Sequence, residues 1–369
     1  MSDGLETLIL DESPRERGVR HGEVFAEAIG RNLDRYLSKY DYYGVDPRTA
    51  RKWAERFIPL IEDANPEYAD EIRGVADGSG ISLTDVTLLN ARYEIMYGIW
   101  AEQAKGVAQR GPPLPDGCTS FAVQGDVTAD GRPYMGQNWD WIHDVEVFLM
   151  DVRPDDKPNH VAVTEAGIVG GKIGVNEHGI GLTLNGLVTT ADGEHPFRKP
   201  YHVRFREILS ARRLSEAIEP VISTDRACSA NLLLGSPEGE FIDIESLPES
   251  ATYLSPEDGL LVHANHLLGG TRTTSRFERL LPDTLCRAPR LRRLLENRSG
   301  DLSRERIQEI LRDHFNCPAS ICRHVDEERP ALERSATRTS VIIDPTGRRL
   351  FATDGPPCKA PYVEYAVSR

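Results

Sequence analysis

The chain has 369 residues, 39 % of them hydrophobic, ample for one large globular body and too much for a short disulfide-stapled module. Lys and Arg total 44 against 58 Asp and Glu, and the resulting −14 argues against a polyanion such as nucleic acid as the main partner unless a local basic patch overrides the total. No basic stripe is visible, although arginines (37) far outnumber lysines (seven).

The opening MSDGLETLILDESPRERG has LIL as its one apolar run and acids on both sides, unlike a secretory signal, so a cytoplasmic protein is expected. No stretch approaches the roughly 18 uncharged apolar residues of a membrane helix, and no membrane partner is expected. From about Glu23 to Trp100 the pattern is helical. Val24, Ala28, Leu33, Tyr36, Leu37 and Tyr40 fall near 3.6-residue spacing, and Gly44 stops the run. Pro47 opens a second helix and Pro66 a third, which ends in the turn DGSG; SLTD resembles a capping box opening a fourth through Tyr97.

AKGVAQRGPPLPDGC (104–118) has no apolar period and reads as an exposed linker. After it the period switches to two, in CTSFAVQGD, PYMGQNWDW, VEVFLMDVRP, HVAVTEAG, KIGVNEHGIGLTLNG, ANLLLGSPEGEFIDIES, GLLVHANH and SVIIDPTGRRLFATDG, several of them hairpins with VNEHGIG, SPEGE and DPTGR as turns. Helices return over 201–219 and 272–312. Grouped helices and antiparallel strand pairs predict an α+β layered domain rather than a βαβ nucleotide fold. The six cysteines (Cys118, Cys228, Cys286, Cys317, Cys322, Cys358) are scattered; the close pair Cys317 and Cys322 has no second pair at zinc-site spacing, and neither structural disulfides nor a metal site is expected.

Cys118, at the junction and preceded by Gly117, is the residue of chemical interest. Glycine removes crowding around its own carbonyl and permits backbone angles closed to other residues, so the next thiol can reach that carbonyl. An N-to-S acyl shift followed by hydrolysis would leave Cys118 as a new N-terminus, whose α-amino group, with a pKa of roughly 7.7–8.0, can serve as base for its own thiol. The competing reading is a buried strand cysteine.

DGCTSFAV and DGRPYMGQNWDW resemble the penicillin acyltransferase (acyl-coenzyme A:isopenicillin N acyltransferase) family of self-processing N-terminal-nucleophile enzymes. EIRGVADGSGISLTDVTLLNARYE upstream, and GVNEHGIGLTLNGL, ANLLLGSPEGEFIDIE, VHANH and TSVIIDPTGRRLFATDG downstream, fit the same pattern in order, from about residue 15 to 358. The resemblance implies a four-layer αββα N-terminal-nucleophile hydrolase fold with antiparallel sheets and an N-terminal helical segment. It also implies one composite domain formed, after self-cleavage, by an α-chain of residues 1–117 and a β-chain of residues 118–369 that stay associated.

The same resemblance makes Cys118 the nucleophile freed by cleavage after Gly117, and Asp140 the carboxylate that holds the new α-amino group. It makes Asn265 the oxyanion-hole asparagine and Asn185 a second site asparagine that supplies a backbone N–H or substrate contact. Arg276 corresponds to an arginine near the nucleophile in related families. Read without the family, Asp140 is a strand-end acid, the asparagines are Asx-turn residues and Arg276 lies on a solvated helix face. Bile-salt hydrolases carry Arg three residues before the Asp; Gln137 stands there in this chain and speaks against that branch. The implied function is a small-molecule amidohydrolase or acyltransferase working through a thioester acyl-enzyme, without a cofactor, acyl-coenzyme A entering only as a substrate. The alternatives are a non-processed binding protein of the same fold and a cysteine peptidase with a separate histidine base.

Other motifs carry less. His263 and His266 in HANH lie on a strand, where i and i+3 face opposite sides, which disfavours a shared metal. His143 past QNWDW reads as a surface residue. GGKIGVNEHGIG lacks the strand and helix of a dinucleotide site, and neither GxxxxGK[ST] nor a GxSxG elbow occurs.

Overall fold

The structure, a computed structural model of the chain, describes residues 4–104, 117–270 and 273–368, so most of the expected linker (105–116) lies outside the described residues. The N-terminal third runs β1 (Thr7–Leu10), α1 (Pro14–Tyr42), α2 (Pro47–Ala64), α3 (Pro66–Ser79), α4 (Leu83–Asn90) and α5 (Arg92–Ala104). β1 is too short to reveal a period. α1 begins at Pro14 rather than near Glu23, because Glu16 Oε2 reaches back to the Ser13 N–H (3.3 Å) in a capping box within a charged first turn. The helix kinks at Phe25, leaving Val24 exposed while Ala28, Leu33, Tyr36 and Tyr40 are buried as expected. Asp46 and Asn65 cap α2 and α3, and Gly80, with φ 71°, ends α3. The single helix expected from SLTD through Tyr97 is two. It breaks at Ala91, where Asn90 is pinned by Tyr68 Oη donating to its Oδ1 (2.7 Å) and by its own Nδ2 donating to Gly167 O (2.8 Å).

There follow β2 (Gly117–Val123), β3 (Tyr134–Ile142), β4 (Val147–Val152), β5 (His160–Glu165), β6 (Ile173–Asn176), β7 (Gly181–Gly186), α6 (Tyr201–Leu209), α7 (Leu214–Ile222), β8 (Ala230–Gly235), β9 (Phe241–Ser246), β10 (Ala251–Leu254) and β11 (Leu260–His263). The chain continues through α8 (Phe277–Leu280), α9 (Thr284–Glu296), α10 (Arg304–Leu311), β12 (Ser335–Asp344), β13 (Arg349–Ala352) and β14 (Val363–Ala366). The helical stretch expected over 272–312 is therefore three helices, interrupted at Leu281–Pro282 and around Gly300, whose φ is 84°.

Two sheets form the centre. One has eight strands in the order β1-β4-β5-β6-β7-β8-β9-β10, antiparallel throughout except for β1 beside β4; the other has six antiparallel strands, β11-β2-β3-β12-β13-β14. They stack face to face. A Cβ at Gly181 or Gly235 of the first sheet would lie 2.6 or 2.7 Å from the sulfur of Met135 in the second, and Gln137 Oε1 on β3 accepts from the Leu184 N–H on β7 (2.7 Å). Helices α1, α6 and α7 cover the outer face of the eight-stranded sheet, and α9 and α10 that of the six-stranded sheet. This is the α+β, αββα layering the resemblance implied. The N-terminal segment is woven into it. His21 Nε2 of α1 accepts from the Gly167 N–H (3.0 Å), Asn32 Oδ1 accepts from the Glu146 N–H (2.8 Å), and β1 adds a strand to the sheet. Among the described residues no helix is long and apolar enough to cross a membrane.

Candidate active site

β11, β2, β3 and β12 lie side by side, and one end of this four-strand group gathers the residues the sequence singled out. Gly117 opens β2 directly opposite Asp140 of β3, so Cys118 pairs with Trp139. Asn265 follows the end of β11, the strand on the other side of β2. Three separate segments thus deliver Cys118, Asp140 and Asn265 to one point.

All three are fully buried. The Cys118 N–H donates to Asn265 Oδ1 (2.9 Å). Asn265 Nδ2 donates to Gly186 O (2.9 Å) and the Asn265 N–H to Thr284 Oγ1 (2.8 Å), so both ends of this side chain and its backbone are fixed. Gly117 is extended and has no positive φ. Its smallness is needed for space, because a Cβ there would lie 3.2 Å from Asp140 Cβ and 3.3 Å from its Oδ2. The conformational freedom expected of this glycine is not what the strand uses.

A chain of charges surrounds the three residues, from parts of the sequence that no motif marked. Thr337 Oγ1 donates to Asp140 Oδ1 (2.6 Å), and Arg323 Nε donates to Asp140 Oδ2 (3.3 Å). Arg323 also bonds Asp283 Oδ2, which accepts from Arg287 Nε at 2.8 Å. Arg287 Nη1 donates to the Cys118 carbonyl oxygen and to Thr119 Oγ1 (2.8 Å), while its Nη2 donates to Asn265 Oδ1 (2.7 Å). Two carboxylates and two guanidiniums balance, as a water-poor site requires. Burial pushes Asp140 up to about 6 against the pull of Arg323, Arg287 and Thr337. For Asp283 burial acts in the same sense, but Arg287 and Arg323 outweigh it and hold the carboxyl below its ordinary range.

Local structure explains the aim of several groups. Asp283 and Arg287 stand one helical turn apart at the start of α9. Register shifts between Thr337 and Thr339 on β12, a bulge that places Thr337 opposite Asp140.

The remaining expected residues lie as follows. Asn185, on β7 of the facing sheet, accepts from Ser120 Oγ (2.7 Å), two residues past Cys118, and its Nδ2 is buried without a hydrogen-bond partner among the described residues. Arg276 caps α8, its N–H donating to Val188 O (2.8 Å); the arginine found on Cys118 is Arg287. HANH does not converge: His263 Nε2 lies 3.0 Å from Glu245 Oε1, and His266 Nδ1 lies 2.9 Å from Thr284 Oγ1. Burial lowers His263, but Asp243 and Glu245 more than offset it, and its pKa is raised. His143 is exposed in the turn after β3. Gln137 holds the two sheets together as described above.

Comparison with known proteins places the chain in a family. The profile of the acyl-coenzyme A:6-aminopenicillanic acid acyl-transferase family matches residues 127–350, more than half of the chain, and the chain belongs to that family. Over 353 residues it is 28 % identical to the acyl-coenzyme A:6-aminopenicillanic-acid-acyltransferase 40 kDa form of Emericella nidulans, an alignment that spans 94 % of this chain and 91 % of that protein. Among solved structures, a mutant conjugated bile acid hydrolase of Clostridium perfringens superimposes with a TM-score of 0.46 at 12 % identity, covering 64 % of this chain and 89 % of that one. The penicillin V acylase of Agrobacterium tumefaciens gives 0.44 at 14 % identity, covering 64 % and 83 %.

Proposed function

We propose that this chain is a self-processing cysteine amidohydrolase or acyltransferase whose nucleophile is Cys118. The observation that carries the proposal is the convergence on one buried peptide. Asn265 holds the Cys118 N–H, Arg287 holds its carbonyl, and the Asp140 carboxylate borders Gly117.

In processing, Cys118 Sγ attacks the Gly117 carbonyl carbon, the Gly117–Cys118 C–N bond breaks and the nitrogen leaves as an amine. Water then hydrolyses the thioester to a Gly117 carboxylate and a free thiol. Asp140, raised toward neutrality, is suited to take the thiol proton and afterwards to hold the α-ammonium. Cys118 is buried in the uncleaved chain, and cutting before it frees the α-amino group that turnover uses. The 1–117 and 118–369 pieces stay together through β1 in the eight-stranded sheet and α1 on its surface.

In turnover, the thiol attacks an amide or thioester carbonyl. The oxyanion accepts from an Asn265 side-chain N–H and a backbone N–H, a side-chain donor of this kind contributing about 2.7–4 kcal/mol. The leaving amine takes a proton from the α-ammonium of Cys118, and water or an acceptor amine resolves the thioester. Substrates are small N-acyl compounds in a cytoplasmic setting. The Emericella relative is named for an acyl-coenzyme A and 6-aminopenicillanic acid; acyl-coenzyme A belongs among the donors to test here, as a substrate.

Intact-mass measurement with N-terminal sequencing tests the proposal. Two chains are expected, one beginning at Cys118, with Cys118→Ala giving one uncut chain. Active material that retains the 117–118 bond would overturn it.

A further inference from the structure

Away from Cys118, the loop between α10 and β12 and the turn between β13 and β14 bring four soft ligands together. Cys322 Sγ and Cys358 Sγ are 3.6 Å apart, His324 Nε2 lies 3.8 Å from the first and 3.5 Å from the second, and His314 Nε2 lies 3.0 Å from His324 Nε2. All four donor atoms fall within 4.8 Å of one another. With Zn–S of about 2.3 Å and Zn–N of about 2.0–2.1 Å, a tetrahedral ion sets its ligand atoms about 3.8 Å (S to S), about 3.6 Å (S to N) and about 3.3 Å (N to N) apart. Four of the six edges of such a tetrahedron lie within about 0.3 Å of these values, and the other two, from His314 Nε2 to the two sulfurs, are no longer than 4.8 Å. A Cys322–Cys358 disulfide would instead require sulfurs at roughly 2.05 Å. Two imidazole Nε2 atoms at 3.0 Å face each other either across one shared proton or toward a common cation, and the two sulfurs beside them favour the cation. Two thiolates and two imidazoles in a tetrahedron select zinc over hard ions such as calcium or magnesium.

We propose that His314, Cys322, His324 and Cys358 form a zinc site that fixes the loop presenting Arg323 to Asp140 and Asp283. Arg323 stands between two of the ligands in sequence, and its N–H is tied to Thr337 Oγ1 (2.9 Å), the same hydroxyl that donates to Asp140. Cys322 is buried and His314 exposed, so the ion would sit near the surface and bridge the loop to the C-terminal turn. That turn is also held by Arg312 Nε donating to Pro357 O (2.9 Å). In sequence the ligands read H-x7-C-x-H followed much later by a single cysteine, a spacing that pairing Cys317 with Cys322 does not find; the thiol that meets Cys322 belongs to Cys358.

The zinc assignment stands apart from the proposed nucleophile and is tested without turnover. The purified full chain, freed of loose metal by gel filtration, is analysed by mass spectrometry for metal content, and zinc is replaced by Co2+ for visible absorption. One zinc per chain is expected, with a tetrahedral thiolate–cobalt spectrum in the exchanged protein. Cys358→Ser and His314→Ala should each bind zinc at least tenfold more weakly. Amide exchange over residues 313–324 should speed up at least tenfold when the metal is stripped and recover when zinc is restored. A metal-free chain with both thiols titratable, a Cys322–Cys358 disulfide, or iron in place of zinc would overturn the assignment. Exchange unchanged by metal would overturn the hold on the loop. The wild-type cobalt spectrum decides the first question even where a variant fails to fold.

Discussion

Asp140 stands directly across the β2–β3 ladder from Gly117, close enough that a methyl group on Gly117 would meet its Cβ at 3.2 Å and its Oδ2 at 3.3 Å. Asp140 cannot simply swing away, since Thr337 and Arg323 each hold one of its oxygens. Gly117→Ala therefore pushes on the carboxylate at the bond proposed to be cut. The expected outcome is intact folding, a stability loss of about 1–3 kcal/mol from overpacking, and self-cleavage slowed roughly tenfold or more, a barrier change of about 1.4 kcal/mol. A time course of chain cleavage on denaturing gels checks it, and cleavage at the wild-type rate would contradict the role given to Asp140.

The pH dependence of cleavage follows from the same carboxyl. Burial raises Asp140 to about 6, so the ionised form that can accept a proton dominates at pH 7 and falls to about a tenth at pH 5. Cleavage should slow about tenfold between those values, and Asp140→Asn should abolish it throughout. The stability contribution has the opposite sense. Between the ordinary 3.8 and about 6 the folded chain binds the extra proton, so this residue's contribution declines as pH rises through that window and is flat above it. Measuring both on one preparation separates chemistry from folding.

Asn265 is the acceptor for the Cys118 N–H and, in the proposed turnover, a donor to the oxyanion. Asn265→Ala should lower kcat of the processed enzyme by about 10²–10³-fold with a smaller change in KM, as loss of a transition-state donor does. Asn265→Asp keeps an acceptor for the backbone N–H but offers no side-chain donor when ionised. It should rescue cleavage more than turnover. Equal losses in both variants would remove Asn265 from the oxyanion role.

Much of the fold was legible because the strand segments are short runs rich in apolar residues and bounded by turn residues, even though most of them are buried on both faces. The strands from β2 to β9, and β11 to β13, declare themselves this way. β1, β10 and β14, four-residue strands at the ends of the sheets, do not. The start of α1 hid in PRERG, a capped first turn with little apolar content. At the site, Cys118, Asp140 and Asn265 stood out through a family resemblance. Arg287, Arg323 and Asp283 did not, because 37 arginines share similar charged surroundings in the sequence and only the fold selects the two that meet Asp283 beside Asp140. Thr337 depended on a bulge, which changes register without leaving a sequence mark.

His21 ties the N-terminal helix to the sheet that the later residues build, and it should make that union sensitive to acid. Its Nε2 accepts from the Gly167 N–H at 3.0 Å, a bond that requires an unprotonated nitrogen, and the ring lies against Phe148 with centroids 4.9 Å apart. Burial lowers its pKa from 6.5 to about 4, Glu71 opposing and Arg206 assisting. The folded pKa is depressed, so the unfolded chain takes up the proton first: stability present above 6.5 is lost as pH falls toward 4. From this residue the loss between pH 7 and pH 5 should be about 2 kcal/mol. Asp140, Asp192 and Asp243, each raised to about 6 with burial as the leading cause, push the other way over part of that range. The clean measurement is therefore a difference. In denaturant titrations His21→Gln, whose side-chain oxygen can still accept from Gly167, should be less stable than wild type at pH 7 and lose about 2 kcal/mol less on acidification. Parallel pH slopes for the two proteins would show that His21 is already protonated in the fold, or that its proton is not linked to unfolding.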